Sequence, residues 1–236
     1  MLFRQLFDRE SCTYTYLLAD EESGDAVLID PVRELIDRDV QTLQELGLTL
    51  RYTLDTHVHA DHVTASGLLR QRLGSESVLS ARGDVACVDV AVQDGDVIPF
   101  GAHRIEVRAT PGHTDTCTSY YVPALSAIFT GDALLIRGCG RTDFQQGDPE
   151  VLYRSIHEQI FTLPDATWIY PAHDYKGRTV STVGEEKAHN PRVGGGKTVQ
   201  EFTAIMDNLN LAPPQKLHEA VPANQRCGLP LPQDGG

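Results

Sequence analysis

Apolar residues along the chain fall into short β-type runs separated by stretches of helical spacing. Runs rich in Val, Ile, Tyr and Thr predict strands over residues 13–19, 26–30, 52–56, 77–80, 104–110, 127–130 and 167–171. Between them, Leu35, Ile36, Leu43 and Leu46 make one apolar stripe closed by Gly47. Val63, Leu68, Leu69 and Leu73 make a second, closed by Gly74. A third helix is predicted over 149–160, with Asp148 as N-cap and Pro149 at the first helical position. Strands mixed with helices point to a layered α/β or α+β fold. The C-terminal part reads differently. Glycines 194–196 predict a flexible joint, 198–211 a helix, and the PPQ and LPLPQDGG stretches a loosely ordered tail. The expected organisation is one catalytic domain, 1–193, with an extension, 194–236, packed on it.

Composition narrows the function classes. The chain has 236 residues, 41% of them hydrophobic, so it can bury a sizeable core without a staple. Lys and Arg number 20 against 33 Asp and Glu, a net charge of −13, which argues against a nucleic-acid or anionic-membrane surface. No apolar run approaches the ~18 residues of a membrane span. Charges at Arg4, Asp8, Arg9 and Glu10 break up any secretory apolar segment, so a bacterial-type cytoplasmic location is expected. The cysteines, Cys12, Cys87, Cys117, Cys139 and Cys227, are odd in number and form no CxxC. That favours reduced thiols, most of them small buried side chains, over a disulfide framework.

The chemistry concentrates at strand ends. Residues 52–62 read YTLDTHVHADH, a strand running out into His57, His59, Asp61 and His62. Residues two apart in an extended segment point the same way, so His57 and His59 can converge on one point. Asp61 and His62 are then expected to start the helix that runs to Leu73. His113 in TPGHT, Asp132 in FTGD and His173 in YPAHD each follow a predicted strand and a small or Pro residue. Strand ends on one edge of a sheet can gather such distant residues into one site. Imidazoles with carboxylates suit zinc or iron, and no cysteine has ligand spacing.

The set His57-x-His59-x-Asp61-His62, His113, Asp132, His173 resembles the metallo-β-lactamase superfamily motif in order and spacing. That resemblance implies an α+β fold, a four-layer αββα sandwich with the metal at the sheet edges. Finer segments are similar to the persulfide dioxygenases, the ethylmalonic encephalopathy protein family. They are THVHADHVTASGLL at 56–69, TPGHTDTCTSY at 110–120 and FTGDALLIRGCGRTDFQQGD at 129–148, with PAHDYKGRTVSTVGEEKAHNPR at 171–192 and AVPANQRCG at 220–228.

The resemblance implies oxidation of glutathione persulfide by O2 to sulfite and glutathione, at one Fe(II) per chain. Carried over, the iron ligands and catalytic residues are His57, His113 and Asp132, a 2-His-1-carboxylate set. His59, Asp61, His62 and His173 would orient ligands and waters through hydrogen bonds. Arg141 and Tyr175 fall at the family's glutathione site, and Lys176 and Arg178 are further candidates for the substrate carboxylates. Cys139, beside Arg141, reads as structural. All the superfamily's ligand positions are retained, so ligand counting by itself equally permits a dinuclear site. The rival reading is glyoxalase II, a hydroxyacylglutathione thioester hydrolase with two metals. It normally carries a larger helical C-terminal domain than the stretch after His173 provides. Neither nucleic acid nor membrane is expected as a partner, and a homodimer is admitted.

Overall fold

The segments Tyr14–Ala19 and Ala127–Gly131 are buried at every position rather than at alternate ones. Strands covered on both faces read this way, and here the covers are a second sheet inside and helices outside. The computed structural model describes residues 1–212 and 216–230. One six-stranded sheet runs in spatial order β1 (Leu2–Phe7), β2 (Tyr14–Ala19), β3 (Asp25–Ile29), β4 (Thr49–Leu54), β5 (Glu76–Ser80) and β6 (Val90–Val92). From β3 to β6 the neighbours are parallel. The other sheet takes β7 (Val97–Phe100), β8 (His103–Ala109), β9 (Thr118–Val122), β10 (Ala127–Gly131), β11 (Trp168–Pro171) and β12 (Ser181–Thr182) in sequence order from one edge. In it β10 and β11 are parallel.

The inner faces meet in a core that includes Tyr16, Leu18, Ile29, Leu54, Ile105, Tyr120 and Phe129. Outside the first sheet, α1 (Ile36–Glu45) and α2 (Ser66–Leu73) bury Ile36, Leu43 and Leu69 against Leu17 and Leu28. Outside the second lie α3 (Pro149–Ser155), its π-helical continuation Ile156–Ile160, α4 (Val183–His189) and α5 (Val199–Asp207). They bury Leu152, Ile156, Val183 and Phe202 against Ile128 and Ile169. The expected αββα sandwich is therefore the observed one. A last helix, α6 (Leu217–Asn224), seats Ala220 and Ala223 on Val63. Among the described residues no helix is long and apolar enough to cross a membrane.

Several local expectations are corrected. Asp61 and His62 do not start a helix, because α2 begins at Ser66. The Asp55 carboxylate accepts hydrogen bonds from the Thr64 hydroxyl at 2.8 Å and the Ser66 hydroxyl at 2.9 Å, which keeps the preceding residues in a loop. The helix expected over 198–211 starts on its Thr198 cap but ends at Asp207. There Asn208 folds its amide back onto the Ala204 carbonyl at 2.7 Å. The expected triglycine joint is a packed turn closing α4, with the Gly195 N–H donating to the Lys187 carbonyl at 2.7 Å. A Cβ at Gly194 would overlap the Glu186 carbonyl, so glycine there serves close packing rather than flexibility. Of the loosely ordered stretches expected at 213–215 and 229–236, residues 213–215 and 231–236 lie outside the described residues.

The cysteine expectation is also corrected. Cys87 and Cys227 form a disulfide, leaving Cys12, Cys117 and Cys139 as free thiols. The two partners are 140 residues apart in sequence, and only the return of the C-terminal segment across α2 brings their Cα atoms to 6.1 Å. Spacing along a chain carries no sign of such a pairing.

Candidate metal centre

Each chemical residue follows a strand, and all of those strand ends lie on one rim of the sandwich. His57, His59, Asp61 and His62 occupy the loop after β4. His113 lies in the turn between β8 and β9, Asp132 just past β10, and His173 just past β11. The two sheets are joined at this rim, where Tyr14 N–H donates to the Ala172 carbonyl at 2.7 Å and Thr13 bridges to His173. Gly140 lets the loop after Asp132 close over the site. Its N–H donates to the Asp132 carbonyl at 2.7 Å, and a Cβ there would collide with the His113 ring.

His57, His113 and Asp132 offer ligand atoms lying within 4.8 Å of one another. Their hydrogen bonds leave the right atoms free. Thr56 Oγ1 donates to Asp30 Oδ2 at 2.9 Å, so it accepts from His57 Nδ1 at 3.0 Å. His113 Nδ1 donates to the Arg141 carbonyl at 2.7 Å. Both rings are thus set with Nε2 as the available lone pair, the usual role of a backing partner in a metal site. Burial, with His59 and His113 nearby, holds the His57 pKa well below its ordinary value, which favours the neutral ligand form. Burial alone would raise Asp132, but His173, His113 and His57 keep it well below the usual carboxylate range. The donor set therefore fits a divalent metal.

The other four residues converge on the same centre. His173 is buried between two carboxylates, Nδ1 on Asp132 Oδ1 at 2.6 Å and Nε2 on Asp61 Oδ2 at 2.8 Å. Burial opposes its protonation, yet Asp132 and Asp61 raise its pKa well above the ordinary value. Asp61 Oδ2 also bonds His62 Nδ1 at 2.9 Å and Thr13 Oγ1 at 3.2 Å. His59 Nε2 bonds Asp30 Oδ1 at 3.0 Å, and Asp30 outweighs burial to push its pKa up to about 9. His59, Asp61 and His62 could themselves hold an ion, and His59 Nδ1 and His62 Nε2 are buried without a partner. His173, with both ring nitrogens in hydrogen bonds to carboxylates, adds no donor to that group in this arrangement.

Above the triad opens a cavity of about 470 Å³. Arg137, Arg141, Lys176, Arg178 and Arg192 all line it, a cationic concentration in a chain of net charge −13. The sequence-identified Arg141, Tyr175, Lys176 and Arg178 are thus brought to one place. Their state differs from residue to residue. Arg141 holds Asp143 with two bonds of 2.6 and 2.7 Å and donates to the Ala212 carbonyl at 2.6 Å. Arg178 is paired with Asp174 at 2.9 Å. Tyr175 stands 69% exposed at the rim. Cys139 lines the wall, and burial pushes its thiol up to about 11, so it is no ready nucleophile. Sequence reading passed over Thr13, Asp30, Arg192 and Asn224. Asp30 alone carried a signal, since it too is a polar residue just past a strand.

The Metallo-beta-lactamase superfamily profile matches residues 11–173. The chain belongs to that superfamily. Within it the chain belongs to the family of the ETHE1 persulfide dioxygenases. It is 57% identical over 233 residues to the mitochondrial persulfide dioxygenase ETHE1 of Bos taurus, covering 98% of this chain and 91% of that one. The crystal structure of ETHE1 from Myxococcus xanthus superposes with a TM-score of 0.94 at 56% identity, covering 97% of this chain and all of that one. A hydroxyacylglutathione hydrolase of Thermosynechococcus vestitus is more distant, 35% identical over 181 residues, 75% of this chain and 70% of that one.

Proposed function

We propose that the protein is a sulfur dioxygenase that oxidises glutathione persulfide with O2 to sulfite and glutathione, at one Fe(II) held by His57, His113 and Asp132. The reaction balances as GSSH + O2 + H2O → GSH + sulfite + two protons: the outer sulfur gives up the four electrons that O2 accepts. The observation that carries the mononuclear reading is His173. It spans Asp61 and Asp132 at 2.8 and 2.6 Å, so it buttresses the Asp132 of the His57/His113/Asp132 set instead of adding a fourth donor to the His59/Asp61/His62 group. Bound there, iron would supply the redox chemistry with O2 that no side chain offers, and three protein ligands would leave it room for further ones.

The rest is done by this chain's residues. Thr56 and the Arg141 carbonyl fix the two ligand rings. Leu135, Ile136 and Cys139 give the cavity an apolar wall for the sulfur end of the substrate. Glutathione brings two carboxylates, and Arg141, Tyr175, Lys176 and Arg178, all on the cavity wall, would bind them. Lys176 has no ion-pair partner among the described residues. Arg141 would exchange Asp143, itself exposed at the rim, for a substrate carboxylate of the same geometry.

The test is metal analysis joined to an oxygen electrode. About one iron per chain is expected, with O2 uptake and sulfite release on glutathione persulfide and negligible cleavage of S-lactoylglutathione. Two required metals per chain, or efficient thioester cleavage without O2 uptake, would reassign the protein to the glyoxalase II type. A second expectation concerns Arg141→Lys, which keeps the charge and loses the fork. Losing a charge-assisted hydrogen bond costs about 1.5–3 kcal/mol, so KM should rise by roughly one to two powers of ten. Iron should stay, because only the backbone carbonyl of Arg141 touches His113. Steady-state kinetics with iron quantified in each sample decides it, and an unchanged KM at full iron removes Arg141 from the substrate site.

A further inference from the structure

The loop that carries His59, Asp61 and His62 is held from the far end of the chain. Asn224 closes α6, and its side chain is buried. Its Nδ2 donates to the His59 carbonyl and to the His62 carbonyl, both at 2.9 Å, and its Oδ1 accepts from the Thr64 N–H at 2.9 Å. One carboxamide thus satisfies three backbone groups of a single buried loop that forms no regular structure of its own. The residues after it press on the same place. Gly67 N–H donates to the Cys227 carbonyl at 2.8 Å. A Cβ on Gly228, whose φ is +73°, would overlap the Thr64 carbonyl. Backbone therefore lies directly on backbone, and the position of Asn224 is fixed relative to the loop.

From the loop the connection runs on to a candidate ligand. Asp61 sits between the two carbonyls that Asn224 holds. Its carboxylate bonds His173, and His173 bonds Asp132. We propose that Asn224 is a positioning residue of the metal centre. By fixing the backbone around Asp61, it aims Asp61 and His173 so that Asp132 keeps its ligand orientation. The inference rests on the ligand set proposed above. Its closest analogue in known chemistry is the outer hydrogen-bond shell of metal sites, whose loss typically costs about 10–100-fold in metal affinity or activity.

The experiment compares metal-loaded parent, Asn224→Ala and Asn224→Asp. Alanine removes all three bonds, whereas aspartate keeps the volume and the acceptor for Thr64 but loses both donors. Three quantities are read: the rate at which a chelator strips the bound metal, kcat against KM for the persulfide, and the electron paramagnetic resonance signal of the Fe(II) protein exposed to nitric oxide. Expected in both variants are metal loss faster by about 10–100-fold, a kcat lower by about the same factor with KM within roughly twofold, and a changed nitrosyl signal. A purely structural role for Asn224 would lower thermal stability and leave the signal and the kcat/KM split alone. If the alanine protein does not fold, the same-sized aspartate variant carries the test. A folded variant whose metal loss, kcat and nitrosyl signal all match the parent overturns the proposal. Chelator stripping is read on whatever metal the parent retains, so a parent without oxygenase activity would sink the proposed function and still leave the Asn224 result legible.

Discussion

His57→Ala and His113→Ala proteins will purify with little iron and little activity, while His59→Ala will keep much of its iron and turn over slowly. The difference follows from what each ring does. His57 and His113 have Nδ1 tied to protein acceptors and Nε2 left over beside Asp132. Removing either leaves two donors where three are needed to hold the ion against water. His59 instead spends Nε2 on Asp30 at 3.0 Å, and Asp30 also accepts from the Thr56 backbone and hydroxyl. It therefore acts on the centre through Thr56, the partner of His57. Removal of such a support costs about 10–100-fold in affinity or activity. Iron per chain and kcat, measured on all three variants purified in parallel, separate the cases. Equal iron loss in the three would make His59 a ligand, the orphaned Nδ1 its donor atom, and the site dinuclear.

How much of this was readable beforehand depended on the kind of signal. Apolar runs such as those of β2 and β10 announce themselves, because strands buried on both faces need apolar residues throughout. The strands β1, β6, β7 and β12 do not, being short or half-exposed edge segments whose residues mix faces. The strand β9, TSYYV, hides its buried Thr118 and Ser119 behind a polar composition. The helix α4 has seven residues with Gly184 near its start, too few turns for a stripe to show. In the site, every candidate ligand was legible because each repeats one local arrangement, a polar residue just past a strand. Its supports were not. Thr13 and Asn224 are single polar residues, and what makes them matter is contact with partners dozens to many dozens of residues away. The Cys87–Cys227 link failed to show for the same reason.

Opening that link should cost the protein several kcal/mol of stability without changing a residue of the site. A cross-link between residues 140 apart restricts the unfolded chain strongly. Such links typically contribute about 2–4 kcal/mol, and up to roughly 5 for loops of this size. For a chain of this length that corresponds to roughly 5–15 °C in Tm. Cys87→Ser is the clean variant, since Cys87 is partly exposed whereas Cys227 is 3% exposed and its replacement would also bury a hydroxyl. The Cys87→Ser protein should melt lower than the parent by that amount and be indifferent to dithiothreitol. The parent should fall to the variant's Tm when reductant is added. Thiol titration after unfolding gives an independent reading, with three free cysteines expected in the untreated parent and all five after reduction. Loss of the link also frees Cys227, and with it the segment that presses Asn224 onto the metal loop. Reduced parent and Cys87→Ser should therefore both surrender metal to a chelator faster than oxidised parent. Five thiols in untreated parent, or a melting temperature insensitive to reductant, would remove the disulfide from the account and leave the C-terminal segment held by Asn224 and its glycine contacts alone.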